Sequence, residues 1–339
     1  MTTILFTFIL ALGLSLLLTP LAKKLGIKLG AMDMPSDRKM HHSPIPRTGG
    51  LAIFVAAMVT VGLTWLLKTS VSELMVIDGK VLFFLAGAVV VFGTGLFDDF
   101  HRLGPWMKFA FQIIGASLAF AGGVNVGGFS LFGMHIHLGV LNYGLTVFWF
   151  LLFINAVNLV DGLAGGIVVF ASLVMVLLSI LRQEFVIALY FAIISGSVLG
   201  FLRYNFNPAS IFLGDGGSYF LGYAIAGLSI MGSAKSQMGA AIAIPILALG
   251  VPLFDTILSP LRRFVRGHRM FSPDSGHIHH KLIRMGLTTK KAVWTVYSIT
   301  ALLCLAAIIV TNLRDEQAGL FLIILGAGEP AGREPAGRP

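Results

Sequence analysis

The chain has 339 residues, 56% of them apolar and only 12% charged, roughly half the charged share of a soluble domain. A water-soluble fold is excluded, and with Cys304 as the single cysteine so are a disulfide framework and a cysteine-ligated metal site. The formal charge of +9 matters less for its sign than for its placement along the chain.

Apolar runs of about 20 residues, the length that crosses a bilayer at 1.5 Å per residue, fall near 2–20, 50–67, 80–97, 106–122, 140–157, 163–181, 184–203, 211–231, 239–260 and 291–312. A short eleventh lies near 317–327. The expected fold is therefore an all-α polytopic integral membrane protein of about 10–11 transmembrane helices. Residues 1–325 form one transmembrane catalytic domain, and 326–339 read as a disordered or artefactual tail that repeats Glu-Pro-Ala-Gly-Arg. Segment Thr2–Thr19 lacks n-region lysines and a small-residue cleavage site, so it reads as a retained helix rather than a signal peptide.

The connections after odd-numbered spans hold 17 of the 24 Lys and Arg residues. The positive-inside rule then puts the N-terminus outside and these connections in the cytoplasm. The first, from Asp33 to Gly50, is basic and stiffened by prolines, and it carries Arg47 before the glycine pair that opens the second span. The second begins with Asp98-Asp99 directly after the third span. Two anions at a helix C-terminus oppose its dipole, so a positive partner is expected; Arg102 and Lys108 are at hand, and so is a bound metal. Adjacent carboxylates can also divide roles, one staying charged while the other takes a proton.

On the opposite face, 124–139 contains no Lys, Arg, Asp or Glu. Met134–Leu138 alternates apolar residues with His135 and His137, which predicts a small external hairpin with both histidines on its wet face; a metal pair there is the weaker alternative. Asn155 through Gly166 joins two spans with almost no loop, and Asn158 and Asp161, three apart, share one helical face if the helix continues. Amides and a carboxylate in so apolar a setting need partners. Either they hydrogen-bond helices together, or they supply oxygen ligands to a hard cation such as magnesium. Phe212-Leu-Gly-Asp215-Gly-Gly-Ser218 opens the next span. Its glycines and helix start suit close approach of backbone amides to phosphate, with Asp215 on a bridging metal. The loop 261–291 carries eight Lys and Arg, Arg269 among them, and His277, His279 and His280. A pyrophosphate clamp of Arg forks and imidazolium donors fits it best, ahead of an anionic-lipid patch or a zinc site.

The ordered set DxPxxRKxH…PxPRxGG, DDxxxLxxxxK, NxxNxxDG, FLGDGGS and HxHHxL resembles the polyprenyl-phosphate N-acetylhexosamine-1-phosphate transferases. These are relatives of the phospho-N-acetylmuramoyl-pentapeptide transferases in glycosyltransferase family 4. The match runs from about residue 20 to 290, and the HIHH form resembles the N-acetylglucosamine branch more than the pentapeptide branch. The resemblance implies transfer of a sugar 1-phosphate from a UDP-sugar to undecaprenyl phosphate, with release of UMP. The product is the diphosphate-linked sugar that starts cell-surface glycan synthesis, and the setting is a multi-pass protein of the bacterial cell (inner) membrane. It implies Mg2+, with Mn2+ as a substitute, on Asp215 and Asn158, and Asp98 and Asp99 as the catalytic acidic pair. It also implies Lys108 on phosphate, Phe212 stacked on uracil, Asp161 and Arg47 at the substrates, and His277, His279, His280 and Arg269 at the diphosphate or sugar. Ala164 stands where many relatives carry a second acid after the asparagine motif, which leaves another N-acetylhexosamine or the pentapeptide donor open. Undecaprenyl phosphate, the UDP-sugar and membrane lipid are the expected partners, a homodimer is left open, and nucleic acid is not among them.

The rival class is an ion-coupled transporter of anionic solutes. It calls for polar groups in the interiors of broken spans, whereas only Asp255 lies inside one here.

Overall fold

The computed structural model describes residues 1–35, 43–67, 71–75, 78–131, 134–206, 208–233, 245–265, 281–282 and 285–311. Among them ten long helices follow one another: α1 Thr2–Leu29, α2 Gly49–Leu66, α3 Gly79–His101, α4 Pro105–Ala121, α5 Leu141–Leu159, α6 Asp161–Leu181, α7 Phe185–Asn205, α8 Gly214–Ser233, α9 Gly250–Val265 and α10 Thr289–Thr311. Seven of these contain a stretch long and apolar enough to cross a membrane. Of the others, α4 has 17 residues and α9 has 16, and α8 opens on the polar Gly-Asp-Gly-Gly-Ser run. The chain is an all-α multi-pass membrane protein.

Local chemistry sets the helix ends. Asp78 caps α3 by accepting the N–H of Val81 at 3.0 Å, and Pro105 occupies the first turn of α4, where a missing N–H costs nothing. The first helix runs nine residues beyond the expected span and carries Lys23, Lys24 and Lys28 out of the apolar layer. The two spans around Asn158 and Asp161 meet with almost no loop, as expected, and the condition for these residues to share a helical face is not met. The helix breaks at Val160, which ends α5 and precedes α6. The expected hairpin is present: β3 Gly128–Leu131 pairs antiparallel with β4 Met134–His137, and His137 is exposed. A second small ribbon, β1 Met32–Asp33 with β2 Ile45–Pro46, leads into α2. The eleventh span and the tail lie outside the described residues.

Helices α7 and α8 are the buried centre of the bundle. Gly196 and Gly200 let α7 lie directly on the backbone of α1 at Phe8 and Leu12, the small-xxx-small arrangement that favours close helix contact in lipid. On α8, Tyr219, Phe220 and Tyr223 are almost fully buried, with Phe150 and Phe84 packed on the Tyr223 ring. Hydrogen bonds from Arg47 N–H to Ala31, from Gly50 N–H to Leu213 and from the Asn205 amide to Ile211 tie the connections together. The C-terminal ends of α1, α3, α5 and α7 therefore meet the N-terminal ends of α2, α4, α6 and α8 at one end of the bundle. The β3–β4 hairpin follows the other end of α4. The connections α1–α2, α3–α4, α5–α6 and α7–α8 thus lie at a single end of the bundle.

Candidate active site

Asp98 and Asp99 occupy the last turn of α3, both buried. Being consecutive on a helix they point about 100° apart, and they meet different neighbours. The Asp99 carboxylate accepts the backbone N–H groups of Asp215 at 2.9 Å and of Gly216 at 3.0 Å, one on each oxygen. It therefore sits on the N-terminus of α8, where the helix dipole favours an anion. The glycines around Asp215 do not form a phosphate cradle from these two amides: the anion that they bind is the protein's own. Glycine is required at 214, where φ is +76° and a Cβ would collide with the Arg47 carbonyl oxygen and the Asp99 carboxylate. On the facing helix, Gly95 touches the Asp215 backbone and lets α3 and α8 close together.

Asp98 turns the other way. Its Oδ1 accepts the N–H of Leu103 at 2.6 Å, and its Oδ2 accepts Lys108 Nζ at 2.6 Å. Lys108 reaches Asp215 Oδ2 as well, at 2.9 Å. Lys108 is thus the partner that the opposed dipole calls for. Arg102 is not: its backbone takes the left-handed cap conformation with φ +52°, and its side chain is exposed. The second cation comes from the other end of the sequence. Arg47 Nη2 lies 3.1 Å from Asp215 Oδ1 and 3.5 Å from Asp99 Oδ1. It is held there because Phe212 N–H donates to Pro46, and Gly49 N–H donates back to Phe212.

Asp215 is the meeting point. Besides Lys108 and Arg47, it accepts Asn158 Nδ2 at 3.0 Å and the Tyr219 hydroxyl at 3.3 Å. Asn158 Nδ2 also donates to Ser218 Oγ at 2.9 Å. Ser218 and Tyr219 were not singled out in the sequence, although their spacings of three and four from Asp215 put them on its helical face.

Three carboxyl groups thus face two cations in a buried cluster. Exposure is uneven: the side chains of Asp98, Asp99 and Asp215 are 4%, 1% and 9% exposed, against 26% for Lys108 and 22% for Arg47. The cations form the mouth and the acids the wall behind it. Such a mouth meets phosphate oxygens, and the wall supplies hard oxygen donors. Among the described residues no three acidic or histidine side chains gather as a metal site. Asp215 and the Asn158 side-chain oxygen would be the hard oxygen donors open to a divalent cation such as magnesium, which takes one or two carboxylates, once Lys108 and Arg47 turn to substrate phosphate.

The structure brings together Asp98, Asp99, Lys108, Asn158, Asp215 and Arg47. Phe212 lies beside them, its backbone in the Pro46–Gly49 pairing and its side chain half-buried. Asp161 begins α6; its side chain lies outside the described residues, as do Arg269, His277, His279 and His280.

Comparison with known proteins bears on this cluster. The glycosyl transferase family 4 model matches residues 81–233, which run from α3 through α8 and include every acid of the cluster. The chain is 36% identical to the probable undecaprenyl-phosphate N-acetylglucosaminyl 1-phosphate transferase of Bacillus subtilis over 330 residues, 96% of this chain and 89% of that protein. It is 32% identical to the decaprenyl-phosphate N-acetylglucosaminephosphotransferase of Mycobacterium tuberculosis (90% of this chain, 82% of that one). It is 31% identical to the phospho-N-acetylmuramoyl-pentapeptide-transferase of Streptococcus suis (80% and 85%).

Proposed function

Because the chain belongs to glycosyl transferase family 4, we propose that it transfers N-acetylglucosamine 1-phosphate from a UDP-sugar to undecaprenyl phosphate at the cytoplasmic face of a bacterial inner membrane, releasing UMP. The observation that carries this reading is the buried cluster of Asp98, Asp99 and Asp215 behind Lys108 and Arg47, at one end of a membrane bundle. Phosphoryl transfer asks a protein chiefly for positioning and charge neutralisation, and the cluster offers both beside the bilayer surface.

In this reading an oxygen of the lipid phosphate attacks the sugar-bearing phosphorus of the UDP-sugar. The bond to the UMP oxygen breaks, and the electron pair leaves on UMP. Lys108 and Arg47 bind phosphate oxygens at the mouth. Asp98, beside Lys108, accepts the proton of an acceptor phosphate that arrives protonated. Asp99 holds the N-terminus of α8, and through it Asp215, in place. Asp215 and Asn158 are the residues that would hold Mg2+, with Mn2+ able to replace it; when bound, the ion supplies charge neutralisation at the diphosphate. Phe212 beside Arg47 is placed for uracil stacking, and Asp161 is assigned to the nucleotide side. The basic loop with Arg269, His277, His279 and His280 is assigned to the diphosphate and sugar.

The test is a panel of radiolabelled UDP-sugars given to purified protein with undecaprenyl phosphate. UDP-N-acetylglucosamine is expected to give a lipid-linked product with one UMP per transfer. Chelation should stop turnover and added magnesium restore it. Labelled product from the muramoyl-pentapeptide donor instead would move the chain to that branch. Solute uptake into proteoliposomes with no lipid-linked product would refute the transferase reading.

Orientation is separately testable. In a Cys304→Ala background, a cysteine at Ser43 is expected to resist a membrane-impermeant thiol reagent in intact cells, and one at Ser130 to label. The expectation follows from the 17-to-5 division of basic residues between the odd and even connections. The reverse pattern would remove the cluster from cytoplasmic nucleotide.

A further inference from the structure

One helical turn below Lys108 and Asn158 lies a second polar tier that the reaction above does not use. Gln112 is 1% exposed on α4. Its Oε1 accepts Asn155 Nδ2 from α5 at 2.9 Å, and the same Nδ2 donates to Leu151 O at 2.8 Å. Gln112 is the only polar side chain among the buried residues of α4; the others are Gly115, Ala116 and Ala119. Burying an amide at this depth is unfavourable unless it is paired, and an apolar residue would fill the position without that cost.

The placement shows what the pair can do. Lys108 is four residues before Gln112 on α4, and Asn158 three residues after Asn155 on α5, so each amide stands directly beneath one donor to Asp215. Lys108 and Asn158 both bind Asp215, on α8, from two different helices. Ser117 of α4 also pairs with Tyr143 of α5 at 2.9 Å, but toward the far end of both helices. At the level of these donors the Gln112–Asn155 bridge is therefore the hydrogen bond between α4 and α5 that does not pass through Asp215. Asp215 is the group whose partners must change when a cation and the substrate phosphates arrive. The amide pair closes the triangle of α4, α5 and α8 by a bond that contains no charge and does not involve Asp215.

We propose that Gln112 and Asn155 are positioning residues: their amide bridge locks α4 to α5 and keeps Lys108 and Asn158 in register while Asp215 exchanges partners during turnover. The proposal rests on the transferase reading for its kinetic consequence, but the bridge itself can be tested without it.

The experiment compares Gln112→Ala, Asn155→Ala, their double variant, and the length-exchanged double variant Gln112→Asn with Asn155→Gln. In detergent-solubilised protein, the Tm loss of the double alanine variant is expected to be clearly smaller than the sum of the two single losses, because the second truncation removes a bond already broken. This measurement needs no activity. In transfer assays each single alanine variant is expected to lower kcat on the order of 10- to 100-fold, the effect of a small displacement of a positioned group, with KM for the UDP-sugar changed less than about threefold. The exchanged pair, which restores the combined reach, should recover at least about tenfold over the single alanine variants. Additive Tm losses would show that no bridge operates. Coupled Tm losses with unchanged kcat, or an exchanged pair no better than the alanine variants, would reduce the bridge to scaffolding and overturn the positioning role. If the wild type itself makes no lipid-linked product, the transferase reading falls while the Tm cycle still decides the bridge.

Discussion

Asp215→Asn is expected to lower transfer on the order of 10³-fold or more, while the protein still folds and inserts. The size follows from convergence: Lys108, Arg47, Asn158 and Tyr219 all bind this one carboxylate, and removing a single aligned group from such a site already costs about 10²–10³. The fold should survive because neither cation loses its last partner. Lys108 keeps Asp98 at 2.6 Å and Arg47 keeps Asp99 at 3.5 Å, so the variant holds two acids against two bases. Breaking a buried pair outright, by contrast, costs about 3–5 kcal/mol. The measurement is the initial rate of lipid-linked product over a magnesium series, with monodispersity and Tm as folding controls. Wild-type activity at ordinary magnesium would remove Asp215 from the metal site. Lost activity with a collapsed Tm would make it a structural group.

The sequence made the helices legible because lipid leaves few ways to satisfy a backbone, and 20-residue apolar runs are unambiguous. The acids were legible for the same reason: Asp98, Asp99 and Asp215 stand out in an apolar chain. Of their partners, Lys108 was legible for the Asp98-Asp99 pair, but the long-range ones were not. Arg47 and Asp215 are 168 residues apart, and Lys108 and Asp215 are 107 apart; no local pattern reports such pairings. For Asp98-Asp99 the sequence offered both Arg102 and Lys108, and the structure chooses Lys108, since Arg102 takes the left-handed end of α3. The glycines near Asp215 read as a phosphate cradle because a nest for an external anion and a seat for an internal one share one pattern. What decides is the helix that arrives opposite, and α3 brings Asp99. The junction near Val160 was legible as the meeting of two spans, but not whether Asn158 and Asp161 share a face, because their spacing of three satisfies a helix whether or not it continues.

That division of labour between Asp98 and Asp99 yields the last prediction. Asp98→Asn is expected to lower turnover on the order of 10²–10⁴-fold near neutral pH, the range for loss of a positioned base, with activity partly regained as pH rises. A phosphate monoester has its second pKa near about 6, so at higher pH more acceptor arrives already without its proton and the base is less needed. Asp99→Asn is expected to lower turnover without that recovery. An amide NH2 would face the N–H of Asp215 or Gly216, donor against donor, so α8 and Asp215 shift at every pH. The two variants therefore separate chemistry from placement by their pH profiles. The same geometry argues against a covalent route: Asp99 is 1% exposed with both oxygens on backbone N–H groups, and both Asp98 oxygens accept hydrogen bonds. A phosphate dianion is already an adequate nucleophile, so direct attack predicts no trapped adduct and no UMP release until lipid acceptor is added. Stoichiometric UMP release from rigorously lipid-free enzyme, abolished in Asp98→Asn, would instead establish a phosphoryl-aspartate intermediate.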